Sequence, residues 1–146
     1  MICYAPTQEQ REAVACEALT WLGTPYHHHA RIKGVGVDCA HLLCGVFEAV
    51  GLVPHIDPGN YAVDWHLHRN EEVFSGWLEK YAHAAVAPIR LGDVLLFRYG
   101  RTFSHGSIYV GNAHFIHSYI GRGVILSRLD EDPLAGREYQ HWSFWQ

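Results

Sequence analysis

The chain has 146 residues, of which 49% are apolar and 18% charged, a composition that excludes a disordered or fibrous protein and predicts one folded domain over residues 1–146. The formal net charge of −4 at pH 7 does not provide the basic surface of a nucleic-acid-binding protein, so we expect no nucleic-acid partner. The sequence contains no run of about 20 apolar residues, so we expect no membrane span.

The first half of the chain predicts two helices with a loop between them. A capping-box pattern and an apolar stripe predict a helix over Thr7–Leu22. Residues 23–38 contain a proline and several glycines, which predict an irregular loop. A second apolar stripe starts at Cys39 and is stopped by Gly51, which predicts a helix that begins at the cysteine.

The second half of the chain predicts a change from helices to strands. Residues 52–70 have the composition of a long connection, and Glu71–Ala84 is predicted to form a third helix. Gly111-Asn112 is typical of a tight hairpin turn. Alternating apolar residues predict the strands 94–99, 106–110, 113–119 and 124–129, with a closing strand at 142–145. Helices followed by antiparallel strands indicate an α+β fold in which the cysteine helix packs on the sheet.

Cys39 is the strongest candidate for a reactive residue because it follows a glycine-rich loop and begins a predicted helix. The first N–H groups of a helix are unpaired and carry about half a positive charge. Such a position stabilises a thiolate, so we expect the pKa of Cys39 to lie below the ordinary value of about 8.5. Asp38 directly precedes the cysteine and is a typical N-cap.

Two histidines in strand-like segments complete a set suited to amide hydrolysis. One predicted hairpin separates His105 from His117, so neighbouring strands can present both rings on one face of the sheet. In this arrangement His105 acts as base toward Cys39 and later as acid toward the leaving amine, while His117 orients the His105 ring. Each residue alone is more often structural, but the combination favours a cysteine hydrolase that needs no cofactor.

Five short motifs follow one another along residues 8–129. They are Tyr26, Asp38-Cys39, Leu91-Gly92-Asp93-Val94-Leu95-Leu96-Phe97, Ser104-His105 with Ile108-Tyr109-Val110-Gly111, and Ile116-His117. In this order they resemble the NlpC/P60 cysteine peptidases of peptidoglycan. The spacing from Gly23-Thr24-Pro25-Tyr26 to Asp38-Cys39 is most similar to that of phage and prophage tail-associated wall peptidases.

The resemblance implies a papain-like NlpC/P60 fold and a cysteine endopeptidase that cuts the stem or cross-link peptides of peptidoglycan. It implies cleavage after a γ-linked D-glutamate, before the diamino acid, through an acyl-thioester on Cys39. It also implies that Tyr26 helps the Cys39 N–H to bind the oxyanion, and that Asp38 contacts the amine of the stem peptide. Many of these enzymes have Ser-Gly after the cysteine, whereas this chain has Ala40-His41, so we expect its substrate preference to differ.

Further substrate contacts are expected close to the candidate nucleophile. Ser104 directly precedes His105, and His41 lies in the first turn of the cysteine helix, so we interpret both Ser104 and His41 as substrate-binding candidates. His41 lies about 200° around the helix from Cys39, which argues against a direct catalytic role. Four aromatic residues are candidates for lining a groove, although packing is their more common role: Tyr61, Trp65, Tyr99 and Tyr119.

The remaining cysteines and histidines give weaker indications. Cys3, Cys16 and Cys44 show no Cys-x-x-Cys or zinc-ribbon spacing, so we interpret them as apolar fillers or surface thiols. Six other histidines suggest either a zinc site or a rim of polar contacts to an anionic wall peptide: His27, His28, His29, His66, His68 and His114. Because no His-Glu-x-x-His pattern occurs, the rim is favoured and no bound metal is expected.

The start of the chain, Met1–Pro6, does not have the pattern of a secretory signal. We therefore expect synthesis in the cytoplasm and delivery to the cell wall by lysis, by a secretion machine or in a virion, with peptidoglycan peptides and phage tail proteins as candidate partners. Three alternatives stay open. They are an amidase, acyltransferase or secreted antibacterial toxin with the same Cys-His-His set, a tail-tip subunit that binds wall peptides without cutting them, and a metal-binding protein.

Overall fold

The computed structural model describes residues 7–55 and 75–145. In these ranges the helices are α1 (Thr7–Leu19) and α2 (Cys39–Ala49), and residues 75–81 are also helical. The strands in chain order are β1 Arg31–Ile32, β2 Gly36–Val37, β3 His83–Ala84, β4 Val94–Tyr99, β5 Thr102–Gly111, β6 His114–Tyr119, β7 Gly123–Ser127 and β8 Tyr139–Ser143. None of the helices in the described ranges has the length and apolar character that crossing a bilayer requires.

Six strands form one antiparallel sheet in the order β3-β8-β4-β5-β6-β7, and β1 and β2 form a separate hairpin. Helix α2 packs on β5 and β6, so the predicted α+β architecture with the cysteine helix on the sheet is confirmed. Alternate residues of each strand face opposite sides. Val94 and Leu96 of β4 join the core beneath α2, whereas Leu95 and Phe97 join a second apolar cluster on the other face.

Helix α2 forms because its sequence combines an effective cap with a continuous apolar side. The Asp38 carboxylate accepts a hydrogen bond from the His41 N–H at 2.8 Å, which satisfies one unpaired donor of the first turn. Four side chains of the helix are fully buried, and each contributes roughly 2 kcal/mol of burial free energy: Leu42, Leu43, Val46 and Phe47. Phe47 also stacks on Phe144 with ring centroids 4.0 Å apart. This packing fixes the start of the helix against the sheet.

A buried ion-pair cluster holds α1 against the sheet. The Arg11 guanidinium donates to Asp93 Oδ1 at 2.8 Å and to the Leu91 oxygen at 2.9 Å, and it lies 4.4 Å from the centroid of the Trp145 ring. His141 Nε2 is hydrogen-bonded to Asp93 Oδ2 at 2.7 Å. Arg11 and Asp93 are 5% and 2% exposed, so removing one partner would leave the other as an uncompensated buried charge.

Several predicted boundaries in the first half of the chain were wrong. Helix α1 ends at Leu19 rather than at Leu22, because the chain turns after Leu19. The loop predicted for residues 23–38 contains the β1–β2 hairpin, whose two-residue strands are too short to show alternation. The helix predicted for residues 71–84 is helical only at 75–81 within the described part, and β3 follows it.

In the second half, strand β4 has the predicted bounds, while its successors differ by a few residues. The tight turn consists of Asn112 and Ala113, one residue later than predicted, and both have positive φ angles of 53° and 62°. These angles are typical of a two-residue hairpin turn. The closing strand is β8 rather than residues 142–145. Most of the predicted connection over residues 52–70 lies outside the described residues, as does Met1–Pro6.

Candidate active site

Cys39 occupies the first position of α2, where backbone N–H groups meet its sulfur. The N–H groups of Cys39, Ala40 and Gly106 lie close enough to favour a negative charge on that sulfur. The thiol donates a hydrogen bond to the backbone oxygen of Ser104, with 3.7 Å between sulfur and oxygen. Cys39 as a residue is partly exposed to solvent. The prediction that Cys39 is the first residue of a buried helix is therefore confirmed.

The sulfur lies where strands β5 and β6 separate. Their paired region extends from Ile108 to the hairpin turn and does not reach the earlier residues of β5. Ser104 and Gly106 lie beyond this paired region, and their backbone groups contact the Cys39 sulfur. Because these two residues flank His105 in the sequence, the sulfur touches the strand on both sides of the candidate base.

His105 and His117 form a hydrogen-bonded pair, as expected for rings on neighbouring strands. His105 Nε2 lies 2.9 Å from His117 Nδ1, and the two residues are 8% and 0% exposed. The other ring nitrogen of His117, Nε2, lies 2.9 Å from the hydroxyl of Ser127 in β7. Within the described part of the chain, Nδ1 of His105 makes no hydrogen bond, so this nitrogen has no protein partner.

Ser127 was missed by the sequence analysis, although a weak signal for it existed. Phe115 of β6 pairs with Ser127 of β7, which makes Ser127 the diagonal neighbour of His117 on the same face. The predicted strand over residues 124–129 contained Ser127, but a sequence alone does not give the register between two strands. A slip of one residue would have turned this hydroxyl to the other face.

Aromatic rings surround the His105 imidazole. His105 pairs directly with Phe97, so the two side chains lie on the same face of the sheet, with ring centroids 6.5 Å apart. Tyr99 and Tyr119 contact the imidazole edge-on, with ring centroids 5.2 and 5.6 Å from it. The Arg137 guanidinium stacks on Tyr99 at 3.5 Å from the ring centroid. Two of the predicted groove-lining aromatics therefore pack around the candidate base.

Both histidines are held in the neutral state. Burial lowers the pKa of His105 to about 3, and the neighbouring charges of His117 and Arg137 lower it further. Burial also lowers the pKa of His117 to about 4, with a further contribution from the charge of Arg122. At neutral pH each ring therefore carries one proton, and one nitrogen of each ring can accept a hydrogen bond.

The expected low pKa of Cys39 was wrong for the free protein. Burial raises the pKa of the thiol to about 12, and the negative charge of Asp38 raises it further. The N–H groups of Gly106, Ala40 and Cys39 act in the opposite direction but do not outweigh burial. Sequence reasoning counted the helix-end amides and left out the loss of water around the sulfur. The resting site therefore holds a neutral thiol beside neutral imidazoles.

Tyr26 reaches the site from the loop before α2. Tyr26 forms a β-bridge with Val37, and hydrogen bonds between the loop and Val124 of β7 anchor this segment. Burial raises the pKa of Tyr26 to about 12, and the charges of Cys39 and Asp38 add to this effect. The phenol is thus a hydrogen-bond donor at neutral pH. It lies close enough to Cys39 for a negative charge on the sulfur to raise the pKa of the phenol.

Both oxygens of the Asp38 carboxylate are hydrogen-bonded to neighbouring residues. Its Oδ1 binds the His41 N–H at 2.8 Å and His41 Nδ1 at 2.7 Å, while Oδ2 accepts from the His29 N–H at 2.8 Å. Burial favours a raised pKa for Asp38, but these hydrogen bonds and the charge of His41 outweigh it and hold the pKa below the ordinary value. His41 is 5% exposed. The substrate contacts expected for Asp38, His41 and Ser104 stay predictions.

Some of the other cysteines and histidines fall within the described residues. The imidazoles of His28 and His29 lie 3.9 Å apart on the surface, Cys44 is buried in the core as a filler, and Cys16 is exposed. In residues 7–55 and 75–145, no three His, Cys, Asp or Glu side chains are arranged to hold a metal ion. Five predicted candidates fall outside the described residues: Cys3, Tyr61, Trp65, His66 and His68.

The part of the chain that forms this site matches a known protein family. The NlpC/P60 family matches residues 23–143. The chain belongs to the NlpC/P60 family. The match contains Tyr26, Cys39, His105 and His117, so the whole site described above lies within the NlpC/P60 domain.

The chain is also similar to individual curated proteins. The Escherichia coli (strain K12) protein named murein DD-endopeptidase MepS/murein LD-carboxypeptidase is 46% identical over 43 residues, which are 30% of this chain and 23% of that protein. The Bacillus subtilis (strain 168) gamma-DL-glutamyl hydrolase is 31% identical over 122 residues, covering 82% of this chain and 26% of that protein. The chain thus spans about a quarter of these curated relatives.

The fold also has a close match among solved structures. The crystal structure of an NlpC/P60 family protein from Bacillus cereus has a TM-score of 0.67 to this chain, with 20% sequence identity. The superposition covers 90% of this chain and 39% of the other. At this level of identity the likeness shows a shared fold, which confirms the predicted NlpC/P60 architecture.

Proposed function

We propose that this NlpC/P60 domain is a cysteine endopeptidase that hydrolyses the stem or cross-link peptides of peptidoglycan through an acyl-thioester on Cys39. The observation that carries the proposal is the position of the Cys39 sulfur. It lies at the N-terminus of α2 and contacts the backbone on both sides of His105, which is hydrogen-bonded to His117. Amide hydrolysis by a cysteine needs a nucleophile, a base that takes its proton, and a group that orients the base.

The first step is attack of the sulfur on the scissile carbonyl carbon. Because thiol and imidazole are both neutral in the free protein, the Cys39 proton moves to His105 Nδ1 as the sulfur–carbon bond forms. The imidazolium that results is stabilised by its hydrogen bond to His117. His105 then gives the proton to the leaving amine as the carbon–nitrogen bond breaks, and the acyl-thioester remains on Cys39.

The oxyanion formed during attack requires hydrogen-bond donors that are already in position. The Cys39 N–H at the start of α2 and the hydroxyl of Tyr26 are the two donors we assign to it. A negative charge on the Cys39 sulfur raises the pKa of Tyr26, which supports a short distance between the phenol and the reacting atoms. In the second step a water gives a proton to His105 as its oxygen attacks the thioester carbon. The carbon–sulfur bond then breaks, His105 returns the proton to the Cys39 sulfur, and the acid is released.

The bond we propose is the one between a γ-linked D-glutamate and the following diamino acid. The name of the Bacillus subtilis relative, gamma-DL-glutamyl hydrolase, supports this choice over most of the chain. The name of the Escherichia coli relative instead points to DD-endopeptidase or LD-carboxypeptidase cleavage, but it rests on a match of 43 residues. Products of the two reactions differ in mass.

The experiment that tests this proposal is digestion of purified muropeptides with the wild-type protein, followed by mass spectrometry of the products. We expect fragments that end in D-glutamate together with fragments that begin with the diamino acid. Cleavage only between two D-amino acids or before a terminal D-alanine would refute the proposed bond. Absence of any cleavage under conditions that keep the protein folded would refute the endopeptidase.

One observation favours a second function, binding of wall peptides without cutting. The thiol of Cys39 is protonated in the free protein, since burial raises its pKa to about 12, and a resting thiol is a weak nucleophile. In that case the protein would sediment with purified cell walls and release no peptide. Association with a phage tail and delivery in a virion remain predictions that follow from the sequence resemblance.

A further inference from the structure

Ser127 is the last polar group of a buried hydrogen-bond chain that starts at His105. Its hydroxyl lies 2.9 Å from His117 Nε2, and His117 Nδ1 lies 2.9 Å from His105 Nε2. His117 is 0% and Ser127 3% exposed, so bulk water does not replace the hydroxyl as a partner. In the described residues, His117 Nε2 has Ser127 as its hydrogen-bond partner and no other.

The direction of the hydrogen bonds along this chain decides whether His105 can act as a base. If Nε2 of His117 carries the proton, Nδ1 of His117 accepts from Nε2–H of His105. The lone pair of His105 Nδ1 is then free to take the proton of Cys39. If instead Nδ1 of His117 carries the proton, His105 must accept at Nε2 and carry its own proton at Nδ1, where it cannot deprotonate a thiol.

We propose that Ser127 is a positioning residue that accepts the Nε2–H of His117 and thereby holds His105 in the tautomer that can accept the thiol proton. The inference rests on the proposed function, because it assigns His105 as the base toward Cys39. The hydroxyl also stays an acceptor when His105 is protonated, since His117 then still donates through Nε2. Without it, a buried N–H would have no partner, and that cost favours the opposite tautomer.

Ser118 provides a matched control within the same sheet. It is also a fully buried serine, and its hydroxyl also makes one hydrogen bond, which it donates to the Val37 oxygen at 2.7 Å. Ser118→Ala therefore removes one buried hydroxyl and one hydrogen bond, as Ser127→Ala does, but leaves both imidazoles with their partners. A general loss of packing or stability should affect the two variants alike.

The test compares Ser127→Ala and Ser118→Ala with the wild-type protein in two measurements. The first is the steady-state kinetics of muropeptide cleavage, in which we expect Ser127→Ala to lower kcat by about 10- to 100-fold with KM within about threefold, and Ser118→Ala to lower kcat by less than about threefold. The second is the ¹⁵N chemical shift of the His117 ring, assigned with His117→Gln, which reports the tautomer directly. We expect wild-type His117 to be protonated at Nε2 and Ser127→Ala to shift toward Nδ1.

The two measurements separate failure of this inference from failure of the proposed function. Equal kcat values for Ser127→Ala and Ser118→Ala, or a His117 tautomer that does not change in Ser127→Ala, would overturn the role of Ser127. If the wild-type protein cleaves no wall peptide, the endopeptidase proposal fails. The ring shifts then still decide whether Ser127 sets the tautomer of His117.

Discussion

At the scale of single residues, burial and two arginines hold the histidine pair in its neutral form. Burial is the main cause of the low pKa of His105, and the charge of Arg137 contributes. Arg122 has the same effect on His117. Arg137 is fixed beside the site by its stacking on Tyr99. The pH at which the two histidines become protonated is therefore set partly by Arg137 and Arg122, which lie outside the proposed set of nucleophile, base and orienting residue.

Replacing Arg137 by glutamine should raise the pKa of His105, because a nearby positive charge is removed. His105 acts as a base only when neutral, so activity is lost as the pH falls through its pKa, and a higher pKa moves this acid limb to higher pH. The measurement is the pH dependence of kcat/KM. Arg137→Lys keeps the charge and is the control. An acid limb that shifts equally in both variants would attribute the effect to lost stacking.

Tyr26→Phe should lower kcat by about 100-fold with little change in KM, the size of effect seen when one oxyanion donor is lost. The phenol is protonated at neutral pH because burial raises its pKa to about 12, so it is available as a donor. Tyr81→Phe, a half-buried tyrosine packed on Trp77, serves as the control. A Tyr26→Phe enzyme with unchanged kcat would exclude the hydroxyl from the transition state.

At the scale of elements, helix α2 and strand β4 were predictable because a long apolar pattern defines each of them. The β1–β2 hairpin and β3 were not, since two-residue strands depend on tertiary contacts rather than on their own pattern. The residues of the site also differ in whether the sequence alone identifies them. Motif positions identified Cys39 and the histidine pair, whereas Ser127 depends on the register between β6 and β7, which only the structure provides.

The cap of α2 also acts on the nucleophile. The charge of Asp38 raises the pKa of Cys39, so Asp38→Asn should lower that pKa while an asparagine still caps the helix. We expect faster alkylation of Cys39 by iodoacetamide at pH 8, followed by mass spectrometry of the Cys39 peptide. Asp130→Asn, at an exposed position, should leave the rate unchanged. Slower alkylation in Asp38→Asn would contradict the assigned effect of this charge.

At the scale of the whole molecule, the buried titratable groups make folding sensitive to acid. The pKa values of His105 and His117 are about 3 and about 4 in the folded state, while an unfolded imidazole has a pKa of about 6.5. The unfolded chain therefore binds protons first as the pH falls. Stability from these two groups is complete above about pH 6.5 and is lost as the pH falls toward their folded pKa values.

This linkage predicts that the urea midpoint of unfolding falls steeply between pH 7 and pH 5. Asp93 adds a second loss at lower pH, because hydrogen bonds to Arg90, His141 and Arg11 hold its pKa below the ordinary value. His117→Gln should flatten the first part of the curve, since glutamine does not titrate. A wild-type midpoint that is constant from pH 7 to pH 5 would contradict the buried neutral state of both rings.

The proposed endopeptidase activity depends on Cys39 as the nucleophile, and a comparison of two thiols on the same helix tests this role most directly. Cys39→Ala and Cys44→Ala each remove one thiol from α2, the first at the proposed site and the second in the core. We measure the release of peptide from purified peptidoglycan by both variants, with circular dichroism to verify the fold. We expect no turnover by Cys39→Ala and near wild-type turnover by Cys44→Ala. Peptide release by folded Cys39→Ala at the wild-type rate would contradict this role of Cys39.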